Sequence, residues 1–207
     1  MDNRLFFPAT QRNRDCIGDV LSRINLNSGS ILEIGSGSGE HGVVFQKRFP
    51  EIIWQTSDPD ILHRKSISSW IDYEELMNKM PKPLEIDVEK TAWKIPAELL
   101  LTLQGIIAIN MIHVASWNST KSLFRESGKL LNNGKFLMLY GPFKIGNKDT
   151  SKSNYLFDQS LKKQNNIWGV RNLENVNYEA NKNGFLQEDL IKMPSNNFSV
   201  IYRKVTL

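Results

Sequence analysis

Residues 30–42, Ser-Ile-Leu-Glu-Ile-Gly-Ser-Gly-Ser-Gly-Glu-His-Gly, constrain the fold of this chain more than any other stretch. Ser30 to Ile34 are apolar and β-branched around one acid and stop abruptly at Gly35, which predicts a buried parallel strand. Gly35, Gly37 and Gly39 follow in alternation, and a helical pattern from Glu40 to Phe49 begins at once. Without Cβ atoms, the glycines permit positive φ and let a ligand reach main-chain N–H groups, while the helix points its positive end into the same space. A plain tight turn needs one such glycine, perhaps two. Three of them predict a cofactor loop.

The rest of the composition sets limits around that loop. The chain has 207 residues and 40% apolar content, with no long Pro/Gly/Ser linker, which predicts one globular domain with a three-layer core. The formal charge of +4 permits an anionic partner, but basic residues are scattered, and Lys47-Arg48 and Lys162-Lys163 are only pairs. The single cysteine, Cys16, excludes an internal disulfide framework and lacks neighbours at metal-ligand spacing, so no metal site is expected. No apolar stretch reaches bilayer length, and Met1-Asp-Asn-Arg lacks the order of a signal peptide, so a cytosolic protein with no membrane partner is expected.

Taken in order, Pro8 to about Asn25 shows a helical pattern with Ile17, Val20, Leu21 and Ile24 on one face. Its polar start, Gln11-Arg-Asn-Arg-Asp15, is suited to closing over the cofactor loop. Ile52 to Asp58 reads as strand two, halted by Pro59. Asp58 lies about 20 residues past Gly39, the spacing at which an acid accepts hydrogen bonds from both hydroxyls of a nucleotide ribose. Asp60 is the better cap for the helix that follows through Trp70 to Met80, which leaves Asp58 for a ligand. Pro83 to Val88 reads as a third short strand ending in Asp87, and Gly105 to Asn110 as a fully apolar fourth. Asn110-Met-Ile-His113 falls at the carboxyl end of that strand, where open α/β sheets bind ligands. Trp117 to Leu131 predicts a helix, and Asn133-Gly134 turns the chain into strand five, Lys135 to Tyr140. After a polar, aromatic-bearing segment from Lys144 to Val170 come a helix near Leu173 to Asn183 and two strands, Phe185 to Ile191 and Phe198 to Lys204. The link between those strands is too short for anything but antiparallel pairing. The whole predicts an α/β protein: a seven-stranded, mostly parallel sheet with an antiparallel C-terminal strand and helices on both faces.

The loop has two registers. Gly37-Ser-Gly-Glu-His-Gly42 spells G-x-G-x-x-G, a dinucleotide fingerprint, but leaves Gly35 outside. Glu33-x-Gly35-x-Gly37-x-Gly39 instead resembles the first motif of Rossmann-like S-adenosylmethionine (SAM) methyltransferases, which also close their sheet with an antiparallel hairpin. From Pro8 to Arg203 the chain resembles the DUF938 family of such class I enzymes, the methyltransferase-like 26 group. The resemblance rests on Gln11-Arg-Asn-Arg-Asp15, Leu32-Glu-Ile-Gly-Ser-Gly-Ser-Gly-Glu-His41, Trp54-Gln-Thr-Ser-Asp-Pro-Asp60, Ile109-Asn-Met-Ile-His-Val114, Leu139-Tyr-Gly-Pro-Phe-Lys144, Trp168-Gly-Val-Arg171 and Met193-Pro-Ser-Asn-Asn197. The chain departs from the family at Gln11, where an acid is usual, and at Cys16, where proline is usual.

The resemblance implies one SAM-dependent methyltransferase domain over 1–207, with 1–28 as an N-terminal helical cap and 144–170 as an insert walling the substrate. It implies SAM as cofactor, held by Arg14, Glu33, Gly35, Ser36, Gly37, Gly39, His41, Asp58, Asp87, Val88 and Asn110. Asp87 is expected to read the adenine amino group. Asn13, Tyr140, Phe143, Tyr155, Phe157, Trp168 and Arg171 are expected to face a small-molecule methyl acceptor, with His113 as candidate base and Tyr140 as orienting group. The protein is expected to be a monomer or homodimer. An NAD(P)-dependent reductase is the alternative enzyme, on the Tyr140-x-x-x-Lys144 spacing, although Gly141-Pro142 prevents the helix that would join those side chains. A catalytically idle SAM-fold partner protein is the alternative from another class. A nucleic-acid substrate is disfavoured, because Asn110-Met-Ile-His113 lacks the Pro-Pro-aromatic string that grips a flipped base.

Overall fold

The computed structural model describes residues 2–24 and 26–206. Its strands join ladder by ladder into a six-stranded sheet of order β2-β1-β3-β4-β9-β8 and a small sheet of order β6-β5-β7. The chain divides into two compact units, 1–107 and 108–207, and the boundary falls inside β3.

In the first unit, α1 (Pro8–Arg23) starts on a proline, whose missing N–H costs nothing in the first turn, and buries Ile17, Val20 and Leu21. Asn25, the expected end of this helix, lies outside the described residues. Strand β1 (Gly29–Ile34) runs parallel to β2 (Ile52–Ser57), from Gly29 opposite Ile52 to Ile34 opposite Ser57, and parallel to β3 (Leu103–Ile109) on its other side. Helix α2 (Glu40–Arg48) follows the glycines, and α3 (Ile61–Tyr73) is capped by Asp60, whose carboxylate accepts from Leu62 N–H. A short α4 (Ala97–Thr102) leads into β3. Phe45 of α2 and Trp54 of β2 are fully buried with ring centroids 5.0 Å apart, each contributing roughly 1.5–3 kcal/mol of apolar burial.

The expected third strand is not formed. Only Leu84 joins the sheet, by one parallel bridge to Ser57, and the ladder stops there because the next acceptor along it, Asp58 O, is taken by Arg64 Nη1. Downstream, Asp87 closes a turn: its backbone carbonyl accepts from Lys90 N–H and its side chain from Glu89 N–H. Among the described residues the main sheet therefore has six strands where the sequence predicts seven. The expected helix through Met80 likewise ends at Tyr73, after which the chain turns.

In the second unit, α5 (Trp117–Leu130) is capped by Ser116, and β4 (Phe136–Gly141) pairs antiparallel with β9 (Asn197–Lys204). Strand β8 (Phe185–Met193) pairs antiparallel with β9 through a tight turn at Pro194–Asn196. The expected polar connection after β4 is ordered: β5 (Phe143–Ile145), β6 (Lys148–Asp149), α6 (Lys152–Gln164) and β7 (Arg171–Asn172) precede α7 (Leu173–Lys182). Phe124 of α5 packs edge-on against Phe185 and Tyr202, joining helix to hairpin.

Candidate functional site

The loop after β1 is held in the left-handed region at each alternating glycine, with φ of 68° at Gly35, 56° at Gly37 and 89° at Gly39. A side chain at Gly39 would be strained in backbone and would also meet Ile67 Cα at 2.7 Å. Ser36 latches the loop to the end of β2: its N–H donates to Ser57 O, and its hydroxyl accepts from Ser57 N–H. Gly37 N–H donates to Asp58 Oδ2 at 2.9 Å. The other oxygen, Asp58 Oδ1, accepts from Asp60 N–H and from His63 Nδ1. The sequence spacing thus places Asp58 beside the glycines, but neither the His63 contact nor the Gly37 one is visible in the spacing.

Glu33, one strand residue before the glycines, is fully buried and accepts from Trp54 Nε1 at 2.8 Å. Burial pushes its carboxyl up to about 7, and the neighbouring Asp58 charge adds to that against the Trp54 and Ser36 hydrogen bonds. The Trp54 bond ties β1 to β2.

Where α1 meets the start of α2, four polar side chains converge. His41 Nε2–H donates to Asn13 Oδ1 at 2.8 Å, and Arg14 Nη1 donates to Glu40 Oε1 at 2.6 Å. Burial, with the Arg14 charge nearby, drives the His41 imidazole down to about 3, so the ring is neutral and stacks on Phe45. Glu40 is 2% exposed, and its second oxygen, Oε2, has no hydrogen-bond partner. The sequence reading singled out Asn13, Arg14 and His41 and passed over Glu40, which reads as an ordinary acid in a first helical turn.

The N-terminal segment covers this corner. Leu5 N–H donates to Ser66 Oγ, which donates to Ser38 O of the loop, and the Phe7 ring lies 3.0 Å from where a Gly37 Cβ would stand. Phe7 also meets His63 edge-on, so one aromatic ring lies beside two of the three groups bonded to the Asp58 carboxylate, Gly37 and His63. Phe7 was not singled out from sequence, because an apolar residue before a helix reads as a simple packing contact.

Asp87 and Val88 sit in the turn described above, Asp87 with Lys90 Nζ at 3.7 Å. In the second unit, Asn110 takes a left-handed φ of 53°, and its N–H donates to Tyr140 O. His113 is 3% exposed, and its Nδ1 has no hydrogen-bond partner. A Cβ on Gly141 would stand 3.2 Å from that nitrogen and 3.5 Å from Asn110 Oδ1, so glycine at 141 leaves room for both. Burial, with Arg171 nearby, pushes the His113 ring down to about 4. Tyr140 is buried and its hydroxyl accepts from Asn197 Nδ2, while Lys144 Nζ reaches Asp158, so the Tyr-x-x-x-Lys spacing joins no pair.

The remaining expected acceptor residues divide. Phe143 is buried, whereas Tyr155 and Phe157 on α6 are 48% and 41% exposed, Phe157 with its ring edge-on to His113. Trp168 N–H closes a turn on Asn165 O. Arg171 donates from Nε to Ile112 O and from Nη2 to Ala115 O and Ile167 O. Its guanidinium therefore clamps the 112–115 loop around His113. Among the described residues, no cluster of His, Cys, Asp or Glu is placed to hold a metal ion, and no helix is long and apolar enough to cross a membrane.

The fold is that of class I, Rossmann-like methyltransferases. An O-methyltransferase family protein from Burkholderia thailandensis superposes with a TM-score of 0.77 at 12% identity, covering 96% of this chain and 58% of its own. Human N-acetylserotonin methyltransferase in complex with SAM gives 0.75 at 13%, covering 96% and 53%. The chain thus spans little more than half the length of these two. A candidate sarcosine dimethylglycine methyltransferase from Galdieria sulphuraria matches nearly end to end, with a TM-score of 0.74 at 10% identity over 98% of this chain and 92% of that one. Within this class, the chain belongs to the DUF938 family, described as a protein of unknown function, whose model matches residues 4–204.

Proposed function

We propose that the protein transfers a methyl group from SAM to a small-molecule acceptor. The observation that carries this reading is the loop itself: three alternating glycines at positive φ after a buried strand, with Gly37 N–H fixed on the acid that ends the next strand. The residues present fit SAM. The glycines leave backbone open to a ligand, and the buried Glu40 Oε2 has an unfilled hydrogen-bond requirement at the same corner. SAM supplies an activated methyl group on a sulfonium, so the protein's part is positioning and exclusion of water.

On this reading the glycine loop and Asp58 would hold the cofactor, with the Asp58 carboxylate, already fixed by Gly37 N–H and His63, as the acceptor for its ribose hydroxyls. Phe7, already over Gly37, shields the loop from water. His113 accepts a hydrogen bond at Nδ1 from the acceptor O–H or N–H. With its proton affinity pushed down to about 4, the ring orients the acceptor at neutral pH and does not keep its proton. Tyr140, Phe143, Tyr155 and Phe157 remain the residues we assign to the acceptor wall, and the scattered basic charge supports a small acceptor over a nucleic acid. The single cysteine supports a reducing, cytosolic setting, and a monomer or homodimer suffices for the reaction.

The test is incubation of the protein with cell-extract metabolites and methyl-labelled SAM. A labelled small molecule that forms only with active protein supports the reading. No label transfer, or NADH oxidation in place of it, overturns it.

A further inference from the structure

Residues 2–7 belong to no helix or strand, yet one stripe of α3 holds them along their length. His63, Ser66, Trp70 and Tyr73 recur at helical spacing, so they share a face of α3. Tyr73 carries the Arg4 guanidinium 3.5 Å from its ring centroid, and Asp2 binds the same guanidinium. Trp70 meets the Phe6 ring edge-on and donates from Nε1 to Leu5 O at 3.1 Å. Ser66 Oγ accepts from Leu5 N–H at 2.8 Å and donates to Ser38 O at 2.7 Å. His63 meets Phe7 edge-on. The segment therefore runs antiparallel to α3, from Tyr73 at its end to His63 near its start, and finishes with the Phe7 ring over Gly37.

This fastening is light. Both backbone groups of Leu5 are bonded, but to side chains and not to a strand, and Leu5, Phe6 and Phe7 stay 36%, 56% and 39% exposed. Lifting the segment uncovers little apolar area, and segments of this kind open at free energies well below that of global unfolding. The fastening is also shared with the loop, since the Ser66 hydroxyl that holds Leu5 holds the carbonyl between Gly37 and Gly39 as well. At the other end Pro8 keeps Phe7 extended, and Phe7 O accepts from Thr10 N–H, so the first turn of α1 supplies a fixed hinge. We propose that residues 2–7 are a strap that gates the glycine loop, lifting off the α3 stripe to admit the cofactor and to release it, and closing over it in between. The identity of that cofactor rests on the SAM reading, whereas the strap itself is defined by its contacts with α3.

The test joins two measurements on the full chain. Amide hydrogen exchange reads the strap with no cofactor added: Leu5 N–H should exchange much faster than the amides of β1, and Ser66→Ala and Tyr73→Ala should each speed it by about 2- to 10-fold while leaving β1 unchanged. Stopped-flow binding of S-adenosylhomocysteine, the product of the proposed transfer, reads the gate. Both variants should raise its association and dissociation rates together, by about the same factor, and hold Kd within about 2-fold. Tyr73 is 62% exposed and lies at the Arg4 end of the strap, so Tyr73→Ala decides the matter if Ser66→Ala disturbs α3. Leu5 exchange as slow as that of β1 overturns the proposal, because the strap then opens only with the whole unit. Parent-like rates in the variants also overturn it and leave the SAM reading standing. Faster dissociation with unchanged association would make the strap part of the binding wall and end its role as a gate. If S-adenosylhomocysteine does not bind the parent, the SAM reading fails and takes the gate with it, even where Leu5 exchanges fast.

Discussion

Glu40 in the first unit and Asp158 in the second are both buried acids on helices, and they are satisfied to opposite degrees. Asp158 is 0% exposed and fully engaged: Oδ1 accepts from Val170 N–H at 2.8 Å, and Oδ2 accepts from Lys144 and Lys162 at 2.9 and 2.7 Å. Burial alone would raise its carboxyl, but those three hydrogen bonds outweigh it and hold the group below its ordinary value. Glu40 has one partner and one bare oxygen. The saturated acid staples α6 to β5 and to the Val170 backbone, while the other leaves one buried oxygen unsatisfied beside the glycine loop. Two carboxylates of equal burial thus differ in how completely their oxygens are bonded, and that difference sets what each contributes to stability.

Removing the saturated acid should have the largest effect. Asp158→Ala leaves Val170 N–H without a partner and should lower stability by about 3 kcal/mol, the low end for breaking a buried pair, since both lysines reach solvent. Denaturant melts should show it, and a loss under about 1 kcal/mol would break the contrast. The parent should also lose this contribution in acid. Because the folded carboxyl sits below its ordinary value of 3.8, its stabilisation is present above that pH and disappears as pH falls through the lower folded value.

Glu33 gives an intermediate effect of opposite sign. Its folded value of about 7 stands above the ordinary 4.5, so the unfolded chain ionises first and the folded state loses ground as pH rises from 4.5 to 7. Glu33→Gln should abolish that slope and, at pH 8, gain about 2 kcal/mol over the parent, less than the full shift because a buried amide must also be satisfied. Parallel stability-against-pH curves for variant and parent would show that Glu33 is ionised at no such cost. The smallest change is expected at Glu40. With Arg14 partly in solvent, Glu40→Gln should alter stability by under about 1 kcal/mol, and a larger loss would place Glu40 with Asp158 among the staples.

The first unit was the more legible in sequence, for a physical reason. A strand, a glycine turn and an amphipathic helix are written in residues that are neighbours in the chain, and the Asp58 spacing follows from the length of one βα unit. The third strand misled because Leu84 to Ile86 look like a strand, while Asp58 O, the next acceptor along the ladder, is taken by the sequence-distant Arg64 side chain. In α6 the spacing of Tyr155, Leu156, Phe157 and Leu161 shows a helix but not which face is buried. The buried face carries Asn154, Asp158 and Leu161, with Lys144, Val170 and Asn196 bonded to the two polar ones, while Tyr155 and Leu156 are exposed and Phe157 is half-exposed with its ring edge-on to His113. Those partners are distant in sequence, as are Ile112, Ala115 and Ile167 for Arg171, so no local pattern records them. Glu40 was passed over because a bare oxygen is a property of packing. The residue type alone says only that an acid suits a helix start.

Binding of SAM and NADH to the full chain, measured side by side by calorimetry, tests the central claim most directly, because the two registers of the glycine loop name different cofactors. SAM should bind and NADH should not, and Asp58→Ala should weaken SAM by about 10-fold or more through the lost ribose contact and the freed Gly37 N–H. NADH binding without SAM binding would contradict the account.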